Sequence, residues 1–269
     1  MWSALRAWRR SRILARGKLD ERAWRLALQR VPFAQGLSEE ERKHLQDLTV
    51  LFLHDKHFAT AHGLQLTEAM RLHVAIQACI LILNLGIEFY RGWREIIVYP
   101  AEFVPRHQYA DEIGVVHQGD EAYAGEAWLH GPVILSWADV AETGYPDGVN
   151  VVIHEFAHKL DMLNGSANGY PPLHRGMSRQ GWAEAFGAAY KDFCMRVDRD
   201  EDTVIDPYAS ESPAEFFAVM SEAFFELPDM VHAEYAGVFA QLSQFYRQDP
   251  RTRINRTTAR RALSAEHGA

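Results

Sequence analysis

Residues 150–165 read NVVIHEFAHKLDMLNG, an apolar lead-in that runs into His-Glu-x-x-His. Residues four apart share one face of a helix, so His154 and His158 point the same way, with Cβ atoms about 5–6 Å apart. That separation suits two imidazole nitrogens converging on one ion, because Zn–N bonds are about 2.0–2.1 Å long. Glu155 is offset around the helix, where it can act on a water as a general base without itself ligating. A solvated helix face could carry the same three residues. The flanks oppose that reading: Val151, Val152, Ile153, Phe156, Ala157, Leu160, Met162 and Leu163 make this a buried helix. Buried histidines and carboxylates need partners or a metal.

A catalytic zinc takes three protein ligands and leaves one position open. The extended motif HExxHxxGxxH would need glycine at position 161 and histidine at position 164, and this chain has Asp161 and Asn164. The third ligand is therefore expected to be a carboxylate from a downstream helix, with Glu184, Glu211, Glu215, Glu222 and Glu226 as candidates. Glu184 lies on a mixed face and reads as solvated. Glu215 is hemmed by Phe216 and Phe217, but Ser212-Pro213-Ala214-Glu215 is also a capping box with proline at the first helical position. Glu215 has two readings, a ligand or a cap that reaches back to its own helix start. Glu222 lies seven residues on, roughly on the same face, and is a reserve ligand or a group that orients one. Asp161 can face the histidines and reads as an orienting carboxylate for one of them, with an ordinary helix-end acid as the alternative.

The rest of the chain supplies the frame. With 269 residues, of which 48% are hydrophobic and 24% charged, it can build one large domain, or one domain with an appendage, around a substantial core. A net charge of −8 argues against gripping nucleic acid through its phosphates. Cys79 and Cys194 lie in apolar, helical-looking surroundings with no CxxC partner and read as buried thiols of a reducing compartment. Residues 74–90, VAIQACILILNLGIEFY, are interrupted by Gln77, Asn84 and Glu88 and fall short of the roughly 20 apolar residues of a membrane span. They read as a buried helix of a soluble protein.

The first residues, MWSALRAWRRSRILARGKL, are basic but lack the apolar stretch and small-residue cleavage site of a secretory signal. Trp2, Leu5, Trp8, Ile13 and Leu14 share a helical stripe. Docking of that stripe on the rest of the protein is the expectation, weak contact with a membrane surface is the alternative, and a cleaved organellar presequence is a lesser one.

Further along, residues 20–31, the stretch from Ser38 with its capping-box Glu41, and the stretch from Thr67 to Gly86 have helical patterns. Residues 94–104, 112–119 and 131–140 are short, β-branched and bounded by Gly or Pro, which predicts strands. Helices return at SRQGWAEAFGAAYKDFCMRV and SPAEFFAVMSEAFFELP. Helices, then a few strands, then helices argue for an α+β fold, mostly helical, with a small mixed sheet beside the His-Glu-x-x-His helix.

HEFAHKLDMLNG, then DPYASESPAEFFAVMSEAFF and QFYRQDP, resemble the Mlc titration factor A family of zinc-dependent peptidases. The family's zinc centre in turn resembles the catalytic domain of anthrax lethal factor, which also has HEFxH and a tyrosine seven residues before an E-F-F-A glutamate. Lethal factor carries a further glutamate four residues beyond its third ligand, where this chain has Val219.

The resemblance covers most of the chain and implies a zincin-like metallopeptidase; the expected organisation is residues 1–66 as an N-terminal helical segment packed on the core and residues 67–269 as the metallopeptidase domain, together one compact unit. It implies one zinc ion held by His154, His158 and Glu215, with Glu155 as general base and Tyr208 as hydrogen-bond donor to the oxyanion. It also implies a cytoplasmic bacterial protein with aminopeptidase-like activity that binds the glucose-responsive repressor Mlc and so affects sugar uptake. In zinc peptidases of this build, an edge strand such as GPVILSW pairs with the extended backbone of a peptide substrate. The alternative is a protein that sequesters the regulator on a peptidase scaffold with little hydrolysis. The intact Glu155 favours hydrolysis, since a scaffold without chemistry has no need of a base.

Overall fold

The computed structural model describes residues 2–101, 131–143, 145 and 147–253. The strand expected over 112–119 lies outside the described residues. Three short strands form one sheet in the order β1 (His57–Thr60), β2 (Glu95–Tyr99) and β3 (Val133–Ser136). Both pairings are parallel, with Ile96 opposite Val133 and Val98 opposite Leu135, so the described sheet is parallel rather than mixed. Parallel neighbours need a crossover, and between β1 and β2 it contains the helix α4 (Glu68–Leu81).

Strand β1 has no counterpart in the sequence reading. Only Phe58 of its four residues is partly buried, so it lacks the alternation that marks a half-buried strand. β2 and β3 do alternate: Ile96, Val98, Val133 and Leu135 are buried, and their neighbours are more exposed. The expected strand over 131–140 stops at Ser136. The Ser136 hydroxyl accepts the Asp139 N–H and caps a short helix, α5 (Trp137–Glu142), which takes the chain out of the sheet.

The remaining helices are α1 (Trp2–Arg16), α2 (Glu21–Gln29), α3 (Glu39–Asp55), α6 (Val151–Asp161), α7 (Arg179–Val197), α8 (Pro213–Glu226), α9 (Pro228–Glu234) and α10 (Ala236–Tyr246). The protein is thus mostly helical with a small sheet, an α+β architecture. Side-chain caps set most helix starts. Asp20 accepts from Ala23, Ser38 and Glu41 form the expected capping box, and Asn150 accepts from Ile153 at the start of α6.

Helix α4 begins after Thr67 as expected but ends at Leu81, well before Gly86. The Gln248 side chain donates to the Ile80 and Leu81 carbonyls and caps that end. Gln248 belongs to the QFYRQDP stretch, whose Arg247 is left-handed (φ 54) and gives its carbonyl to the Asn84 side chain. That stretch is therefore a clasp between distant parts of the fold.

Helix α8 runs through the centre of the core. Phe216, Phe217, Phe224 and Phe225 are all buried, each contributing about 1.5–3 kcal/mol by leaving water. Phe225 meets Phe33 at 6.3 Å between centroids, so the segment after α2 shares this core. Helix α6 packs against α4, α8 and β3, which puts the His-Glu-x-x-His residues between the sheet edge and the phenylalanine-rich helix. Cys79 is buried as expected and Cys194 is only half-buried; both are free thiols.

Candidate metal centre

Asn150 fixes where α6 starts, and the helix then carries His154 and His158 onto one face, with ring centroids 4.8 Å apart. Glu215 arrives from the first turn of α8. Its backbone N–H is capped by the Ser212 hydroxyl at 3.2 Å, but its carboxylate does not return to the Ser212 amide. Instead Glu215 Oε2 lies 3.0 Å from His154 Nε2 and 3.3 Å from His158 Nε2, and the two imidazole nitrogens are 3.1 Å apart. Half of the capping box forms, and two imidazoles take the other half.

These three atoms make a nearly equilateral triangle. Ligand atoms about 2.0–2.1 Å from an ion at tetrahedral angles lie about 3.3–3.4 Å apart, so the triangle is close to what one zinc requires. Electrostatics point the same way. His154 Nδ1 donates to Glu222 Oε1 at 2.7 Å, which leaves Nε2 to present a lone pair toward a carboxylate oxygen and another imidazole nitrogen. Three electron-rich atoms at such distances require a cation among them, a proton or a metal. Among the described residues, His154, His158 and Glu215 are the group of donors that could hold one. Burial pushes the His154 imidazole down, but the carboxylates of Glu222, Glu215 and Glu155 carry its pKa up to about 10. Burial raises Glu215, and its bonds to both histidines overcome this and hold it well below the carboxylate range.

Behind His154 runs a buried polar chain. Glu222 Oε2 accepts the Asn150 backbone N–H. The Asn150 side chain donates to Gln77 Oε1 and to Glu226 Oε1, both at 2.8 Å. Gln77 donates to Thr143 Oγ1 at 3.0 Å, where His73 Nε2 also sits at 3.1 Å. Burial raises Glu222, opposed by His154, and raises Glu226 to about 8. Asn150, Gln77 and this use of Glu226 escape the sequence reading, although an Asn directly before an apolar helix is a readable cap signal.

His158 has no equivalent support among the described residues, where its buried Nδ1 finds no hydrogen-bond partner. Asp161 does not hydrogen-bond to either histidine. Its Oδ2 accepts the N–H groups of Asn168 and Gly169, both at 2.7 Å, and its Oδ1 has no hydrogen-bond partner among the described residues. The loop explains this use. Gly169 has φ +73, and a Cβ there would meet the Pro213 carbonyl at 2.3 Å, so the loop lies hard against the start of α8. Its buried amides need an acceptor. Asp161 thus ties the histidine helix to the helix that carries Glu215.

Tyr208, on the short 3-10 turn Pro207–Ser210, has its ring 6.1 Å from the His154 ring. Glu155 and Tyr208 are both partly exposed. Glu184 and Glu211 are exposed and Glu226 is turned to Asn150, so of the five candidate carboxylates only Glu215 touches both histidines. Lys159, also not anticipated, is buried; its ammonium donates to the Gly131 carbonyl at 2.9 Å and ties α6 to the approach of β3.

Known proteins resemble this chain over most of its length. Residues 5–247 match the family model described as glucose-regulated metallo-peptidase M90. Mlc titration factor A of Cronobacter sakazakii is 36% identical over 240 residues, covering 88% of this chain and 90% of that protein. The protein of the same name from Escherichia coli O9:H4 is 35% identical over 247 residues, covering 90% and 92%. That of Klebsiella pneumoniae (strain 342) is 36% identical over 236 residues, covering 87% and 89%. With a family match over nearly its whole length, the chain belongs to the glucose-regulated metallo-peptidase M90 family.

Proposed function

We propose that this protein is a zinc-dependent, aminopeptidase-like peptidase with a zincin-like fold, holding one zinc ion through His154, His158 and Glu215. The observation that carries the proposal is the convergence of three donor atoms at 3.0–3.3 Å, with the Tyr208 ring 6.1 Å from that of His154. When bound, zinc supplies Lewis acidity toward a carbonyl and brings the pKa of a water to about 7. Glu155 takes the proton of the attacking water and delivers it to the departing amine. Tyr208 donates its phenol O–H to the carbonyl oxygen as negative charge grows there. Glu222 accepts from His154 Nδ1 and keeps the Nε2 lone pair aimed at the site. Among the described residues β3 pairs with β2 alone, and its other edge suits the extended backbone of a peptide.

The second part of the proposal is that the protein binds the repressor Mlc, as the name of its relatives suggests, and acts in the cytoplasm. No helix among the described residues is long and apolar enough to cross a membrane, which is compatible with that location.

Cleavage of chromogenic amino-acid anilides by the wild type and by Glu155→Gln tests the chemistry, with zinc content measured on both. The expected result is a rate lower by about 10²–10⁴ in the variant at equal zinc content. Equal activity, or two inert proteins that both hold zinc, defeats the peptidase mechanism. Co-purification with Mlc tests the second part separately, and its absence leaves the hydrolytic part standing.

A further inference from the structure

Helix α1 has a surface that the metal centre does not use. None of its residues from Leu5 to Arg16 is buried, and Leu5 and Trp8 are 50% and 54% exposed. The first 18 residues hold six basic side chains and no acidic one, in a chain whose net charge is −8. The helix therefore carries positive charge on an otherwise acidic protein.

The charge is placed with the apolar groups. At about 100° per residue, Leu5, Trp8, Arg9, Arg12 and Arg16 fall on one face of the helix. Leu14, which is half-buried, lies on the opposite face, and Ile13, also half-buried, borders the basic face next to Arg9. The guanidinium of Arg12 lies 4.7 Å from the centre of the Trp8 ring. Arg10 is drawn inward into an ion pair with Glu88. Trp8, Arg9, Arg12 and Arg16 line a groove of about 800 Å³ that they share with Val50 and Leu53 of α3. Gly17 lets the chain leave α1 tightly against α3, where an added Cβ would meet Val50 Cγ1 at 2.5 Å.

We propose that this face of α1 docks on an anionic membrane surface, with Leu5 and Trp8 entering the headgroup region and Arg9, Arg12 and Arg16 meeting lipid phosphates. An aromatic and an aliphatic anchor flanked by arginines on a low-hydropathy helix is what lies flat at a bilayer interface. A purely acidic peptide would satisfy the arginines but would leave the exposed apolar side chains of Leu5 and Trp8 without an apolar partner. The groove gives displaced headgroup or acyl atoms an apolar place to settle. The acidic remainder of the protein is repelled by the same surface, so the approach has one orientation. This docking goes beyond the peptidase reading and does not depend on it.

Co-sedimentation of the full chain with vesicles of phosphatidylcholine, with and without phosphatidylglycerol, tests it. The wild type is expected to sediment with the phosphatidylglycerol vesicles alone and to release as salt is raised. Replacing Arg9, Arg12 and Arg16 together by Ala should weaken binding on the order of 100-fold, at about fivefold per arginine. Leu5→Ala with Trp8→Ala, at unchanged charge, should weaken it at least about tenfold. Both variants should keep the wild-type melting temperature and zinc content, because the changed side chains are exposed and α1 packs on α3. The proposal is overturned if the wild type does not sediment with anionic vesicles, or if the arginine variant sediments as well as wild type. Retention on immobilised polyglutamate without vesicle binding also overturns it and assigns the face to an acidic protein.

Discussion

Behind His154 lies a chain of buried side chains, each hydrogen-bonded to the next, whereas the front, where the Tyr208 ring stands 6.1 Å from His154, is partly exposed, as is Glu155. The back is built to hold one imidazole in one tautomer. The front is built to be reached. His158 belongs to neither pattern, since its second nitrogen is buried with no hydrogen-bond partner among the described residues. The difference predicts that metal retention and chemistry are separable, and that retention leans on His154 more than on His158.

The largest expected effect is at the front. Tyr208→Phe removes a phenol O–H and little else, and under the proposed function it should lower kcat by about 10²–10³. Zinc content and melting temperature should stay at wild-type values, because the ring remains to pack beside His154. Loss of zinc in this variant would break the division between front and back. A rate within a few-fold of wild type would leave the oxyanion without its assigned donor.

At the back the expected loss is in affinity. Glu222→Gln keeps the shape but offers His154 Nδ1 either a neutral acceptor or a competing donor, and such partners are typically worth 10–100-fold in metal affinity. Competition with a chromogenic chelator measures this directly. The histidines should release zinc more readily, and turnover at saturating zinc should change less than affinity does. Unchanged affinity would mean that the buried chain orients nothing.

The sequence carried the front of the site more legibly than the back. His154, Glu155 and His158 follow from helical spacing and an apolar frame, which are local properties. Glu215 had two readings because Ser212-Pro213-Ala214-Glu215 is a genuine local pattern. The Ser212 cap forms, and what turns the carboxylate away is a pair of imidazoles on another helix, a tertiary effect outside any local window. Asp161 was placed near the histidines by periodicity, yet its Oδ2 is drawn to the amides of Asn168 and Gly169, because a loop pressed against Pro213 has buried N–H groups to satisfy. Strand β1 is illegible for a simpler reason: its mostly exposed side chains carry no alternation. Strand direction was also out of reach, since it depends on connections rather than on the strands themselves.

The smallest effect probes the far end of the buried chain. Glu226 accepts from Asn150 Nδ2 and from the Gly148 amide, and burial raises its pKa from 4.5 to about 8. The folded protein therefore binds a proton at Glu226 that the unfolded chain has already released between those two values. Stability from this group is present in full below about 4.5 and is lost as pH rises through about 8. Glu226→Gln cannot titrate, so its melting temperature should fall less than that of the wild type across this interval, and the two curves should run parallel above it. The substitution also sets an amide group against the Gly148 N–H or the Asn150 side chain, which lowers the whole curve without changing its slope. Slope therefore reports the buried charge, and height reports the hydrogen bonds. A variant as steep as wild type would show that Glu226 shares its charge with water, and the back of the site would then be no drier than the front.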